Sequence, residues 1–288
     1  MDNAINVFKK VGNTVIFQNK FLKFSTICLS KILYSLLNIP VNKIIRKNRI
    51  IFITGIGRSG TSFLANLLHQ QNNILSFHET SGDNQSLIDA YCSMSEAYDY
   101  IAGYRKLIIA KRLLLSSGQL YCESNSYLRY HVEILKEVFN AEIYHIVRDG
   151  RLVVRSMMNR NTFTENDKHH TGKISPHKHD PFVNSWNHMD RFEKACWYWT
   201  HGNTYLLNKN LPIINFDKSI TSYQYFCKQI LEPLNIYISL ATWEKEINKP
   251  KNVSRKFIFP HYDNWSGHQK EKFRNICGPV MESLGYDL

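Results

Sequence analysis

The sequence contains no C-x-x-C pair, no apolar run long enough to cross a bilayer, and too little acid to balance its base. Its six cysteines, Cys28, Cys92, Cys122, Cys196, Cys227 and Cys277, are scattered. That argues against a zinc site and a disulfide framework, and suits buried thiols in a reducing compartment. The most apolar stretch, Phe21 to Ile39, is interrupted by Lys23, Ser25, Ser30, Lys31 and Ser35, which leaves no clean membrane span. No basic n-region, long apolar run and small-residue cleavage site open the chain, so the expected location is the cytoplasm. Internal repeats and low-complexity linkers are also lacking.

The shortage of acid gives a net charge of +12, which by itself would point to nucleic acid or an acidic surface. Its distribution says otherwise. Residues 1–50 hold nine Lys and Arg against Asp2 alone, hence +8, and the remaining chain holds only +4. The basic character therefore belongs to an N-terminal appendage, residues 1–49, and the body, residues 50–288, is only mildly basic. Nucleic acid is not the expected partner. The appendage should be partly helical, and packing on the body is the favoured reading. Peripheral contact with anionic lipid is the alternative.

What is present suits one large α/β domain: 288 residues, 43% of them hydrophobic. Ile50 to Thr54 is a β-branched run of the kind found in a buried parallel strand. Gly55 to Gly60 is a glycine-rich turn, and Phe63, Leu64, Leu67 and Leu68 then fall on one face of a helix. Such a turn aims the N–H groups of Ser59 to Ser62 at one point near the positive end of the helix dipole, which selects a tetrahedral anion. In the ATP-type loop a lysine would follow the second glycine. Here Thr61 takes that place, Ser62 keeps the hydroxyl position, and Arg58 is the cation inside the loop.

A second strand, Glu142 to Val147, runs into Arg148-Asp149-Gly150-Arg151 and a helical stretch carrying Ser156. A guanidinium at a strand end and a hydroxyl two turns into the next helix can converge on one phosphate. Further strands are expected at Ile74 to Phe77, ending in His78-Glu79-Thr80, at Leu120 to Glu123, and at Pro212 to Phe216. Helices are expected at Tyr127 to Phe139, Trp186 to Asn208 and Tyr223 to Leu231, with two more between residues 85 and 116 that break near Gly103. This alternation predicts an α/β fold, a parallel sheet of about five strands flanked by helices. Residues 161–185 read as a polar, histidine-rich loop, and the spacing of His169, His170, His177 and His179 matches no zinc pattern.

The loop Gly55 to Ser62 and the R-D-x-R block with its serine eight residues beyond Arg148, taken in this order, resemble the donor-binding segments of sulfotransferases that use 3′-phosphoadenosine 5′-phosphosulfate (PAPS). The C-terminal stretch from Arg255 is similar to that of bacterial sulfotransferases. The resemblance covers roughly residues 50–288. It implies a P-loop NTPase-like sulfotransferase fold and metal-independent transfer of a sulfuryl group from PAPS to a hydroxyl of a carbohydrate or glycan-like acceptor. On this likeness Gly57, Arg58, Ser59, Gly60, Thr61 and Ser62 hold the 5′-phosphosulfate, Arg58 also assisting the leaving group, and Arg148 and Ser156 hold the 3′-phosphate. Glu79, 21 residues after Arg58, resembles the carboxylate base of the tyrosylprotein and Golgi-type branch. His78 is the rival base and Glu123 a further candidate acid or base. Many relatives place a lysine beside Glu123, where this chain has Ser124. Residues 161–185 would line the acceptor site. Two other readings stand beside this one: a nucleotide-dependent kinase with a degenerate loop, and a noncatalytic anion- or lipid-binding protein.

Overall fold

The computed structural model describes residues 40–116, 120–249 and 258–288. The predicted apolar segment Phe21 to Ile39 lies outside them. Residues 40–47 are helical, and Val41 and Ile45 join the main core.

Five parallel strands form one sheet in the order β2-β3-β1-β4-β5: β1 Ile50–Gly55, β2 Ile74–Phe77, β3 Leu120–Ser124, β4 Glu142–Val147 and β5 Ile213–Asn215. Every residue of β1 is buried, because helices cover both faces and the strand has no solvent side. Its side chains divide by the period of two. Ile50 and Phe52 enter one core with Tyr121, Ile143 and the long C-terminal helices, and Ile51 and Ile53 enter the other with Leu64, Leu67, Leu68 and Ile146. The register pairs Ile53 with Ser124 on one side and Gly55 with Ile146 on the other, so the carboxyl ends of β1, β3 and β4 finish side by side. Open α/β sheets bind ligands at such an edge, where the connections diverge to either side of a central strand.

The longer helices are α1 Thr61–His69, α2 Asp83–Cys92, α3 Lys106–Leu114, α4 Val132–Phe139, α5 Gly150–Met158, α6 Arg191–Leu207, α7 Leu240–Ile247 and α8 Gly267–Ser283. Several boundaries differ from those the sequence predicts. The expected helix from Trp186 begins at Arg191, because Asp190 and Glu193 form a reciprocal capping box. The expected break at Gly103 is instead a π-helical segment, Tyr100–Arg105, and the chain breaks at the extended Ser93. The helix expected from Tyr127 starts as a 3₁₀ turn, Ser126–His131. The helix expected from Tyr223 is α-helical only to Phe226 and π-helical over Cys227–Leu231. Among the described residues no helix is long and apolar enough to cross a membrane.

Candidate active site

The loop after β1 is fixed by its backbone. Gly60 has φ 96° and Arg58 φ 79°, left-handed values that a glycine adopts freely and an arginine holds only under constraint. Gly60 also lies flat against Phe216, the residue following β5: a Cβ there would sit 2.3 Å from the ring. No side chain caps the N-terminus of α1, so its first N–H groups stay available to a ligand.

A cleft of about 500 Å³ opens over this loop, lined on the loop side by Gly57, Arg58, Gly60, Thr61 and Ser62. Its far wall comes from the other strand ends. Arg148, after β4, donates through Nη1 to the carbonyl oxygen of Arg58 at 3.1 Å, and Arg58 Nε donates to Ser156 Oγ at 2.9 Å. Arg58, Arg148 and Ser156, separated in sequence, are thus brought into one hydrogen-bonded chain. Burial, with the nearby charges of Arg160 and Arg148, pushes Arg58 down to about 10, against the opposing pull of Glu79. A nearby anion would offset this crowding of like charge. Ser59 Oγ and Arg148 Nε are buried without a hydrogen-bond partner, and Asp217 Oδ1 faces the latter at 3.5 Å.

Glu79 and His78 line the same cleft. Ser126 Oγ donates to Glu79 Oε1 at 2.9 Å. His78 Nδ1 lies 2.6 Å from the carbonyl oxygen of Ser124. That oxygen can only accept, so Nδ1 donates to it, and Nε2 faces Glu79 Oε1 at 3.8 Å. Both rival bases therefore reach the space in front of the loop.

Glu123 does not, which corrects its place among the candidate catalytic residues. It is fully buried, absent from the cleft wall, and saturated by four donated hydrogen bonds. Arg105 Nη2 reaches both carboxylate oxygens at 2.5 Å, Tyr121 OH reaches Oε2 at 2.5 Å and Asn125 Nδ2 reaches Oε1 at 2.7 Å. Arg105 also faces Asp83 at 3.4 Å and donates to Thr80 Oγ1 at 2.7 Å, and Asp83 Oδ2 accepts from the Thr80 N–H at 2.7 Å. Burial pushes Asp83 up and Arg105 pulls it back. The cluster pins Thr80 and thereby the strand end that carries Glu79.

Residues 161–185 contribute Thr162, His169 and Thr171 to the cleft. The segment is organised by the nearly buried Asp167, whose carboxylate accepts from the N–H groups of Phe163, His169 and Thr171 at 3.2, 3.0 and 3.1 Å. Its histidines take separate partners: His169 Nδ1 meets Tyr127 OH at 2.6 Å, and His177 packs on Tyr91 with ring centroids 4.1 Å apart. Among the described residues no group of three or more His, Cys, Asp or Glu could hold a metal ion. Tyr127, Arg129, Arg160 and Tyr198 also line the cleft, and nothing in the sequence marked them. Tyr127 and Arg129 lie in the 3₁₀ turn just beyond β3, where a regular helix was expected, and only the packing of α6 on that turn brings Tyr198 to Arg129.

Two solved structures share this architecture. Sulfotransferase STF9 from Mycobacterium avium aligns with a TM-score of 0.53 at 13% identity, covering 100% of this chain and 97% of that one. The sulfotransferase domain from the curacin biosynthetic pathway aligns at 0.50 and 13% identity, covering 84% of this chain and 99% of that domain. No protein-family model and no curated protein matches the sequence. The likeness establishes the fold: the chain has the α/β architecture of those sulfotransferases.

Proposed function

We propose that this chain, built on the sulfotransferase fold, is a PAPS-dependent sulfotransferase that moves a sulfuryl group onto a hydroxyl of a carbohydrate or other glycan-like acceptor. The observation that carries the reading is the linked set Arg58, Ser156 and Arg148 beside an uncapped helix N-terminus. It offers two adjoining positions for tetrahedral anions, as a donor with phosphate groups at both the 3′ and 5′ positions requires. Ser59 Oγ, in the same loop, is buried without a hydrogen-bond partner, which a buried polar atom normally has.

When bound, the donor supplies an activated sulfuryl group on a phosphate leaving group. The N–H groups at the start of α1 and the Arg58 guanidinium hold that phosphate and stabilise the charge that grows on it as the sulfuryl group departs. Arg148 and Ser156 hold the 3′-phosphate and so set the register of the donor in the cleft. Glu79 accepts the proton of the attacking hydroxyl, oriented for this by the Ser126 hydroxyl. Tyr127, Tyr198, His169, Thr162 and Thr171 give the remaining wall ring faces and hydrogen-bonding groups suited to a polyhydroxylated ring.

Calorimetry with adenosine 3′,5′-bisphosphate, without magnesium, tests the donor assignment. The bisphosphate should bind, and Arg148→Ala should weaken it by about 2 to 5 kcal/mol, the range for truncating one partner of a hydrogen-bonded charge pair. A preference for magnesium ATP over the bisphosphate would instead favour a kinase. Incubation with radiolabelled PAPS and fractionated glycans then identifies the acceptor.

A further inference from the structure

Arg129 is 1% exposed, yet it forms part of the cleft wall. Its partners are all neutral. Nη1 donates to the carbonyl oxygen of Ser126 at 3.0 Å and Nη2 to the hydroxyl of Tyr198. The guanidinium carbon stands 4.9 Å from the Tyr130 ring centre and 4.7 Å from that of Tyr198. Among the described residues no carboxylate lies within ion-pair distance of it, whereas the equally buried Arg105 faces both Asp83 and Glu123. Arg129 Nε has no acceptor at all. A guanidinium has five N–H donors, so two neutral acceptors leave it unsaturated. Two tyrosine faces offset only part of the loss of hydration.

Its position is as specific as its lack of an anion. The carbonyl of Ser126 accepts from Arg129 while the hydroxyl of the same residue donates to Glu79. A Cβ on Gly57 would come within 3.8 Å of that hydroxyl, and one on Gly202 would meet both Ile56 and Arg129 Nε. Arg129 therefore sits against the end of β1, on the side of the cleft that holds Glu79. Through Ser126 it is one residue removed from the hydrogen bond that holds Glu79.

Resting on the donor assignment above, we infer that Arg129 is a catalytic residue whose unpaired N–H groups bind the sulfonate oxygens of the donor as the sulfuryl group is transferred. The bond from sulfur to the bridging oxygen breaks and leaves its electron pair on the bisphosphate. The acceptor oxygen forms the new sulfur–oxygen bond, and its proton goes to Glu79. Arg129 keeps its protons throughout and balances the charge on the peripheral oxygens, while Arg58 serves the departing phosphate.

The test compares the affinities of PAPS and adenosine 3′,5′-bisphosphate in the full-length protein, because only PAPS carries the outboard sulfonate. Wild type should bind PAPS the more tightly. Arg129→Met should weaken PAPS about tenfold or more, the scale for losing a charge-assisted contact, and change the bisphosphate by less than about threefold. Arg129→Lys, which keeps the charge but replaces the planar fork by a single ammonium, should fall between, and it decides the matter if thermal melting shows that the Met variant is unfolded. A PAPS-to-bisphosphate ratio unchanged from wild type in the folded variant overturns the inference, as does an equal loss of both ligands. Failure of wild type to bind either ligand would refute the donor assignment instead.

Discussion

Glu79 and Arg129 show at the scale of single residues what a sequence discloses and what it hides. Glu79 stands directly after a short apolar strand, where an α/β fold keeps its chemistry, and its distance from Arg58 could be counted. Replacing it by Gln keeps the shape and the hydrogen bond from Ser126 Oγ but removes the basicity. Turnover should fall by about 10²- to 10⁴-fold while adenosine 3′,5′-bisphosphate binds as before. His78→Gln measured beside it identifies the rival: retention of most turnover by Glu79→Gln, with loss in His78→Gln, would reassign the base. Arg129 was illegible because Tyr-Leu-Arg-Tyr-His-Val reads as a helix with an ordinary surface charge. Its burial arises from a 3₁₀ turn and from Tyr198 in a helix far along the chain, and no local pattern encodes either.

Among the elements, the π-helical segment Tyr100–Arg105 shapes the site most indirectly. The sequence announced a break at Gly103, where an α-helix would lose stability. The chain instead takes a wider turn that carries Arg105 into the core between Asp83 and Glu123. Glu123 looked like a catalytic carboxylate because it ends a predicted strand. Its saturation by a residue from a distant, irregular helix could not be read in advance. Arg105→Gln leaves two buried carboxylates without a cation, and breaking a buried pair costs about 3 to 5 kcal/mol. Denaturant titration should show that loss, against little change for Glu79→Gln. A stability equal to wild type would mean that the cluster does not brace this end of the sheet.

At the scale of the whole molecule, the five-stranded parallel sheet and its helical layers were legible, since β-branched runs alternating with amphipathic stretches have few other solutions. The pH response was not, because it depends on which histidines the layers enclose. His131 is pushed down to about 3 and His145 to about 4, each first by burial. The unfolded chain takes up protons on both near the ordinary value of about 6.5, while the folded protein resists. Both groups thus favour the folded state fully above pH 6.5, and their contribution is lost as the pH falls toward 4. From pH 7 to pH 5 the loss should be on the order of 2 kcal/mol per histidine. Thermal melts at the two pH values should show the drop, and His145→Gln should flatten it. An equally steep drop in that variant would place the titration elsewhere.

The contact between Gly60 and Phe216 also bears on how the protein is made. The loop that would hold the donor takes its shape against a residue in the last third of the chain, beyond α6 and β5. A ribosome delivers the glycine long before the phenylalanine, and contacts so far apart in sequence form late in folding. Binding competence therefore waits on the synthesis of Phe216 and the strand before it. An emerging chain, with its first strand and helix already exposed, cannot capture nucleotide before the sheet that must support it is complete.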